Sequence, residues 1–275
     1  MTRLIFFILF ALLTTNAFAL NPKKEYDITP DQYGMDYQEV SITTKDQVKL
    51  YGWHFSPADP KSIKCVIISH DGEGNMEDMI EIAGNFISMG YHVLTYDYRG
   101  YGKSDDFTIS KQFYIYAQFE KDMQAAIEFV RKEINGIRQI DLYGRGIGAG
   151  LSIAVGAGQR THVRHIIADS PYYTMNDIRE KYQKEKGQDI KVPVGFNKNT
   201  FEPAHAMDNP GASRKRFLFI AGKDDDIYDK KIVKNLNDMT DNGDIYLVRK
   251  ATAQTTYSSD RKQYFEKLKT FLNEE

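Results

Sequence analysis

The chain has 275 residues and a formal net charge of −2 at pH 7, with a pI near 6.3 and a mean hydropathy of −0.51. That balance provides no global pull toward nucleic acid or an anionic membrane, and the hydropathy excludes a polytopic membrane protein. The length suffices for one large core, as α/β folds of this size are routinely single domains. At the N-terminus, Arg3 precedes an apolar run over residues 4–13, followed by Thr14, Thr15, Asn16 and then Ala17-Phe18-Ala19. A basic start, a hydrophobic stretch and an A-x-A site predict a signal peptide over residues 1–19 and an exported mature chain, periplasmic or secreted, beginning at Leu20. The apolar run is short for a bilayer span; an uncleaved anchor is the alternative. No cysteine lies near the cleavage site, which argues against a lipoprotein.

Residues 20–35 read as a polar lead-in. Residues 37–44 and 47–56 predict an antiparallel pair, with Val48, Leu50, Gly52 and His54 alternating. A buried-type strand then runs from Lys64 into His70-Asp71-Gly72-Glu73-Gly74-Asn75. It contains the only cysteine, Cys65, which excludes an intrachain disulfide and reads as a small buried hydrophobe. A helix over 76–89 leads to a strand over 91–97 and to Tyr98-Arg99-Gly100-Tyr101-Gly102-Lys103-Ser104. The next helix is predicted over 113–134, where Phe119, Met123, Ile127 and Val130 form a core stripe. A strand over 138–143 enters Gly144-Arg145-Gly146-Ile147-Gly148, and a small-residue helix follows over 149–155. After a strand over 165–169, residues 171–213 interrupt the alternation, with a lysine-rich helix over 176–186 that reads as a solvated face. The pattern resumes with a strand over 217–221, Gly222-Lys223-Asp224-Asp225-Asp226, a helix over 230–239, a strand over 244–248 and a last helix over 260–272. Strands alternating with helices predict an α/β fold whose mostly parallel central sheet is flanked by helices.

Gly144 to Gly148 has the frame of a G-x-S-x-G nucleophile elbow, but glycine stands at its centre. Together with the His70 loop, the Asp97-to-Ser104 string and the Gly222-x-x-Asp225 turn, in this order and spacing, the chain resembles the α/β-hydrolase superfamily. The resemblance is to the small-lid serine-hydrolase branch of lipases, esterases and serine aminopeptidases. It makes residues 36–275 one domain and residues 171–213 its lid. It implies a triad of which two members are missing: Gly146 stands at the serine position and Asp225 retains the acid. The histidine's place falls at Ala253, or Gln254 if the loop slips by one, and no histidine follows His205. Serine needs an adjacent base, and the imidazole must later protonate the leaving group. Losing such groups costs about a millionfold in subtilisin.

The resemblance also places the oxyanion corner at His70, Asp71, Gly72, Arg145 and Ile147, with Gly72 and Ile147 as the backbone N–H donors. Asp71 replaces a glycine that relatives often carry. Pointing inward, its carboxylate would repel a developing oxyanion; an outward orientation, as an ordinary loop residue, is the expectation. Glycine at 146 would relieve the strain that the elbow imposes on residues bearing a side chain.

No metal or cofactor is expected. Asp224, Asp225, Asp226 and Asp229 lack the alternating ligands and glycine of a calcium loop, and favourable charge at a helix N-terminus accounts for them. His162 and His165 read as surface or packing residues, Ser170 as structural and Ser152 as core. The sequence thus points to an exported pseudoenzyme with a pocket persisting between elbow and lid. Its partner would be a small apolar or acyl-type ligand there, or a protein engaging the lid. No nucleic acid and no stable membrane span after cleavage are expected. The competing reading is an ester or amide hydrolase with a nonstandard arrangement, such as water activated by Asp225.

Overall fold

A computed structural model describes residues 20–159 and 162–274; the expected signal peptide lies outside the described residues. The chain opens with β1 (Asn21–Pro22), β2 (Gln38–Thr43), β3 (Lys49–Phe55), β4 (Lys64–Ser69), β5 (Glu73–Gly74), α1 (Ile80–Ser88) and β6 (His92–Tyr96). It continues through α2 (Phe119–Glu133), β7 (Gln139–Arg145), α3 (Ile147–Gly158) and β8 (Val163–Asp169) to an insertion carrying α4 (Met175–Lys186), α5 (Lys198–Phe201) and α6 (Pro203–Ala206). The last part holds β9 (Arg216–Gly222), α7 (Lys230–Asn237), β10 (Gly243–Val248), α8 (Thr256–Ser259) and α9 (Arg261–Asn273).

Among the described residues, eight strands form one sheet in the order β10-β9-β8-β7-β4-β6-β3-β2. All neighbours are parallel except β3, which runs antiparallel to both β2 and β6. Burial on both faces explains the unbroken apolar runs of the central strands. In β4, Cys65 and Ile67 join one core while Val66 and Ile68 join the other, as the two-residue side-chain period requires. The first core packs α2, α3, the insertion and α7 against one face; the second packs α1 and α9 against the opposite face. The stripe Phe119, Met123, Ile127 and Val130 is buried as expected.

One boundary differs from the expectation. The helix predicted from residue 113 begins at Phe119. The preceding segment is diverted to the insertion: Tyr114 N–H donates to Lys191 O and Lys191 N–H to Gln112 O, each at 2.8 Å. The insertion is pinned at its other end as well. Lys181 on α4 pairs with Asp229 at 2.7 Å; within the insertion, Glu202 Oε1 accepts the Met175 N–H at 2.9 Å. Helix α3 lies so close to the sheet that a Cβ on Gly148 would stand 2.4 Å from Ser69 O, which explains its small-residue composition. The polar lead-in is tied down too, because β1 adds in parallel to β5.

Candidate functional site

Strand β7 turns into α3 through Gly146, at φ 57° and ψ −119°. This is a conformation that side-chain-bearing residues hold only under strain. Gly146 N–H donates to Asp169 O at 2.9 Å, fixing the turn on β8. A Cβ on Gly146 would lie 2.8 Å from Asp71 Cβ. Asp71 therefore stands where a nucleophile's side chain would project.

The outward orientation expected of Asp71 is corrected. Its Oδ2 accepts from both Nε and Nη2 of Arg145 at 2.8 Å, and its Oδ1 accepts the Glu73 N–H at 3.0 Å. The guanidinium of the residue preceding Gly146 draws the carboxylate inward, and the two form a charge-assisted pair over the elbow. The side chains are only 18 % and 14 % exposed, so water screens the pair weakly.

Gly72 is corrected as well. Its N–H donates to His70 Nδ1 at 3.2 Å rather than facing the corner. Its carbonyl accepts from Tyr101 Oη at 2.9 Å and from Asn21 N–H at 3.0 Å. His70 itself is not a pocket residue. It is fully buried, with its ring centroid 4.6 Å from that of Tyr98 and 5.1 Å from that of Tyr101. Burial pushes its pKa down to about 4. With Nδ1 accepting an amide, the neutral ring carries its proton on Nε2, which lies 3.7 Å from Asp97 Oδ1. Buried and neutral, His70 packs against Tyr98 and Tyr101 rather than facing Gly146. Ile147, the first residue of α3, has its side chain buried in the core.

Asp225 sits on the loop after β9. Its Oδ1 accepts from Ile227 N–H at 2.8 Å and Tyr228 N–H at 2.6 Å, and its Oδ2 accepts from Ala253 N–H at 2.7 Å. Both oxygens of Asp225 thus accept backbone amides. Ala253 is 5 % exposed. Asp71, Arg145, Gly146, Tyr182, Tyr228 and Ala253 enclose about 20 Å³. That is room for a single water and far below the roughly 300–1,000 Å³ of a ligand pocket. The space expected between elbow and insertion is thus narrow beside Gly146, where the insertion's Tyr182 and the Arg145–Asp71 pair line it. Its mouth opens to about 210 Å³ among Glu73, Lys186, Asp224 and Asp226.

A family model described as serine aminopeptidase, S33, matches residues 60–188. The chain is 28 % identical over 153 residues to the protein bem46 of Schizosaccharomyces pombe, covering 54 % of this chain and 49 % of that protein. It is 33 % identical over 150 residues to the uncharacterized protein YfhR of Escherichia coli, covering 51 % and 50 %. The chain thus spans about half the length of these curated relatives. The esterase Pf2001 of Pyrococcus furiosus shares the fold, with a TM-score of 0.72 at 20 % identity, over 92 % of this chain and 98 % of that one.

The chain has the α/β-hydrolase fold.

Within this fold the remaining candidates fall into structural places. Asp229 caps α7, its Oδ1 accepting from Lys231 N–H at 2.8 Å and Ile232 N–H at 3.2 Å, so charge at a helix N-terminus explains its presence. Ser152 is fully buried in α3. Ser170 Oγ donates to Asp169 Oδ1 at 2.9 Å, and Asp169 Oδ2 accepts from Thr256 at 2.6 Å and Tyr264 at 2.7 Å behind the elbow. His165 is buried, with Nδ1 3.1 Å from Asp141 Oδ1. Burial raises the Cys65 thiol's pKa far above its ordinary value, leaving it inert. Sequence reasoning missed Leu20, which is fully buried beside Gly72 and Ile147. Its signal was faint: one apolar residue ahead of a polar run.

Proposed function

We propose that this chain is a catalytically silent α/β-hydrolase that works by binding. The observation that carries the reading is the occupied corner. Asp71 stands against Gly146 where a nucleophile would project, and Asp225 Oδ2 accepts the N–H of Ala253, the residue at the histidine's expected place. Nucleophilic acyl transfer needs a nucleophilic side chain, activated for serine by an adjacent base; here a glycine and an alanine hold those positions. Asp225 is also poorly placed to activate water, since both its oxygens accept backbone N–H groups. The insertion over residues 171–213 acts as a lid, closed by Tyr182 and by the Lys181–Asp229 pair. The space beside Gly146 has room for one water, so a ligand that reaches Gly146 enters only when a covering element moves. We place the protein outside the cytoplasm on the signal-peptide pattern of residues 1–19, which N-terminal sequencing of the mature protein tests.

The activity test is incubation of the purified wild-type protein with p-nitrophenyl butyrate and with a fluorophosphonate probe. No turnover above buffer and no labelling are expected. Turnover that disappears on Asp225→Asn would overturn the reading.

A further inference from the structure

A second cavity lies away from the elbow, where three segments distant in sequence meet: the turn between β2 and β3, the start of α2, and the insertion's loop over residues 194–197. It measures about 610 Å³ and shares no residue with the space beside Gly146. That volume falls within the roughly 300–1,000 Å³ of small-molecule sites. The late start of α2 opens it. The segment before the helix pairs with the insertion at Lys191, so Ala117 and Gln118 line the gap between them.

Arg99 locks the floor. Its Nη1 and Nη2 donate to the two oxygens of Asp46 at 2.9 and 3.1 Å, and its Nε donates to buried Asp122 of α2 at 2.9 Å. Thr44 Oγ1 and Lys121 Nζ donate to the same Asp46 carboxylate at 2.6 and 3.2 Å. Turn and helix are thereby held in one geometry before any ligand arrives, which lowers the cost of binding. Along the walls Lys45 and Lys121 balance Asp46 and Glu120, so the lining carries no net charge. A phosphate or a polyamine finds no surplus of opposite charge there.

Three side-chain amides remain for a ligand. Gln118 is the N-cap of α2 but makes no cap hydrogen bond with its side chain. Gln124 Nε2 donates to Glu120 Oε1 at 2.7 Å, which leaves Gln124 Oε1 to accept. Asn197 Oδ1 accepts the Asn199 N–H of α5 at 3.1 Å, which leaves its Nδ2 to donate. Beside them stands half-buried Phe196, its ring centroid 4.8 Å from that of fully buried Phe201. Amides both donate and accept, as hydroxyls do. An anchored aromatic ring among neutral amides suits a ligand with an apolar C–H face and a rim of hydroxyls.

We propose that this cavity binds a neutral oligosaccharide. A sugar ring lays its C–H face on Phe196, and its hydroxyls exchange hydrogen bonds with Gln118, Gln124 and Asn197. The site is independent of the corner and stands whether or not the corner is silent.

The probes are maltotriose, cellotriose and chitotriose, each titrated into the purified protein and followed by amide NMR. At least one should bind and shift the amides of residues 117–124 and 195–197. Phe196→Ala should weaken that binding by about tenfold, and Phe196→Trp, which keeps a stacking face, should stay within about threefold of wild type. Since Phe196 also packs on Phe201, Gln124→Ala gives a second reading and should weaken binding by about fivefold. Raising NaCl from about 0.05 to about 0.5 M should change the affinity by less than about twofold, because the ligand is uncharged. No binding of any of the three sugars would overturn the proposal. So would shifts confined to the surroundings of Gly146 and Asp225, or unchanged affinity in both Phe196→Ala and Gln124→Ala.

Discussion

Replacing Gly146 by serine restores the family's nucleophile in name, and the structure predicts that it destabilises the protein. Two costs apply. At φ 57° and ψ −119° a side-chain-bearing residue is strained, by about 1–3 kcal/mol. The new Cβ would also stand 2.8 Å from Asp71 Cβ, an overpacking worth about 1–3 kcal/mol. One local shift relieves part of both, so the sum is about 2–4 kcal/mol. At about 2 cal/mol/K per residue, a domain of this size loses about 2 °C in Tm per kcal/mol, giving a fall of about 4–8 °C by calorimetry. Asp71→Gly alone should also destabilise, since Arg145 loses the acceptor it holds at 2.8 Å, at about 1–3 kcal/mol. Combined, the two should cost less than their sum by about 1–2 kcal/mol, because removing the Asp71 side chain makes room for the serine. A rise in Tm for Gly146→Ser, or strict additivity in the double variant, would refute the reasoning.

Other outcomes follow from the same geometry. Asp225→Ala leaves the N–H groups of Ile227, Tyr228 and Ala253 without their acceptor and should cost about 2–4 kcal/mol in urea unfolding, with Asp225→Asn costing less; a neutral Asp225→Ala would contradict its structural role. Asp97 is fully buried, and burial raises its pKa from 3.8 to about 7. Its contribution to stability is therefore complete below pH 3.8 and lost as pH rises to about 7. The Tm difference between wild type and Asp97→Asn should accordingly be larger at acid than at neutral pH; a gap that is constant or widens toward neutrality would refute this. His70 works in the opposite sense. Burial lowers its pKa from 6.5 to about 4, so its contribution is lost as pH falls through that window. Asp97→Asn should therefore unfold more readily on acidification than wild type does.

The sheet was legible in the sequence because burial on both faces leaves unbroken apolar runs such as Cys65 to Ile68, and because Gly146 and Gly148 mark a tight strand-to-helix turn. The absence of the nucleophile and the histidine was equally plain, since an absent side chain needs no geometry to detect. What escaped was non-local. Asp71 turns inward because Arg145, 74 positions away in sequence, supplies the guanidinium; neither residue alone predicts that pair. Gly72 loses its expected role to the His70 ring, a choice made by the loop's own backbone path. Leu20 meets Gly72 through a two-residue parallel pairing with no periodicity to announce it. The late start of α2 has the same origin, as residue 114 pairs with residue 191 across the insertion.

On the proposed reading, the corner is silent because glycine and alanine stand where a nucleophile and a base would be. A fluorophosphonate labelling experiment on wild type beside the triple variant Asp71→Gly, Gly146→Ser, Ala253→His tests it most directly. The account predicts an unlabelled wild type and a labelled variant, since removing the Asp71 side chain clears the space that the serine needs. A wild type that takes up the probe, and loses it on Arg145→Ala or Asp225→Asn, would contradict the account.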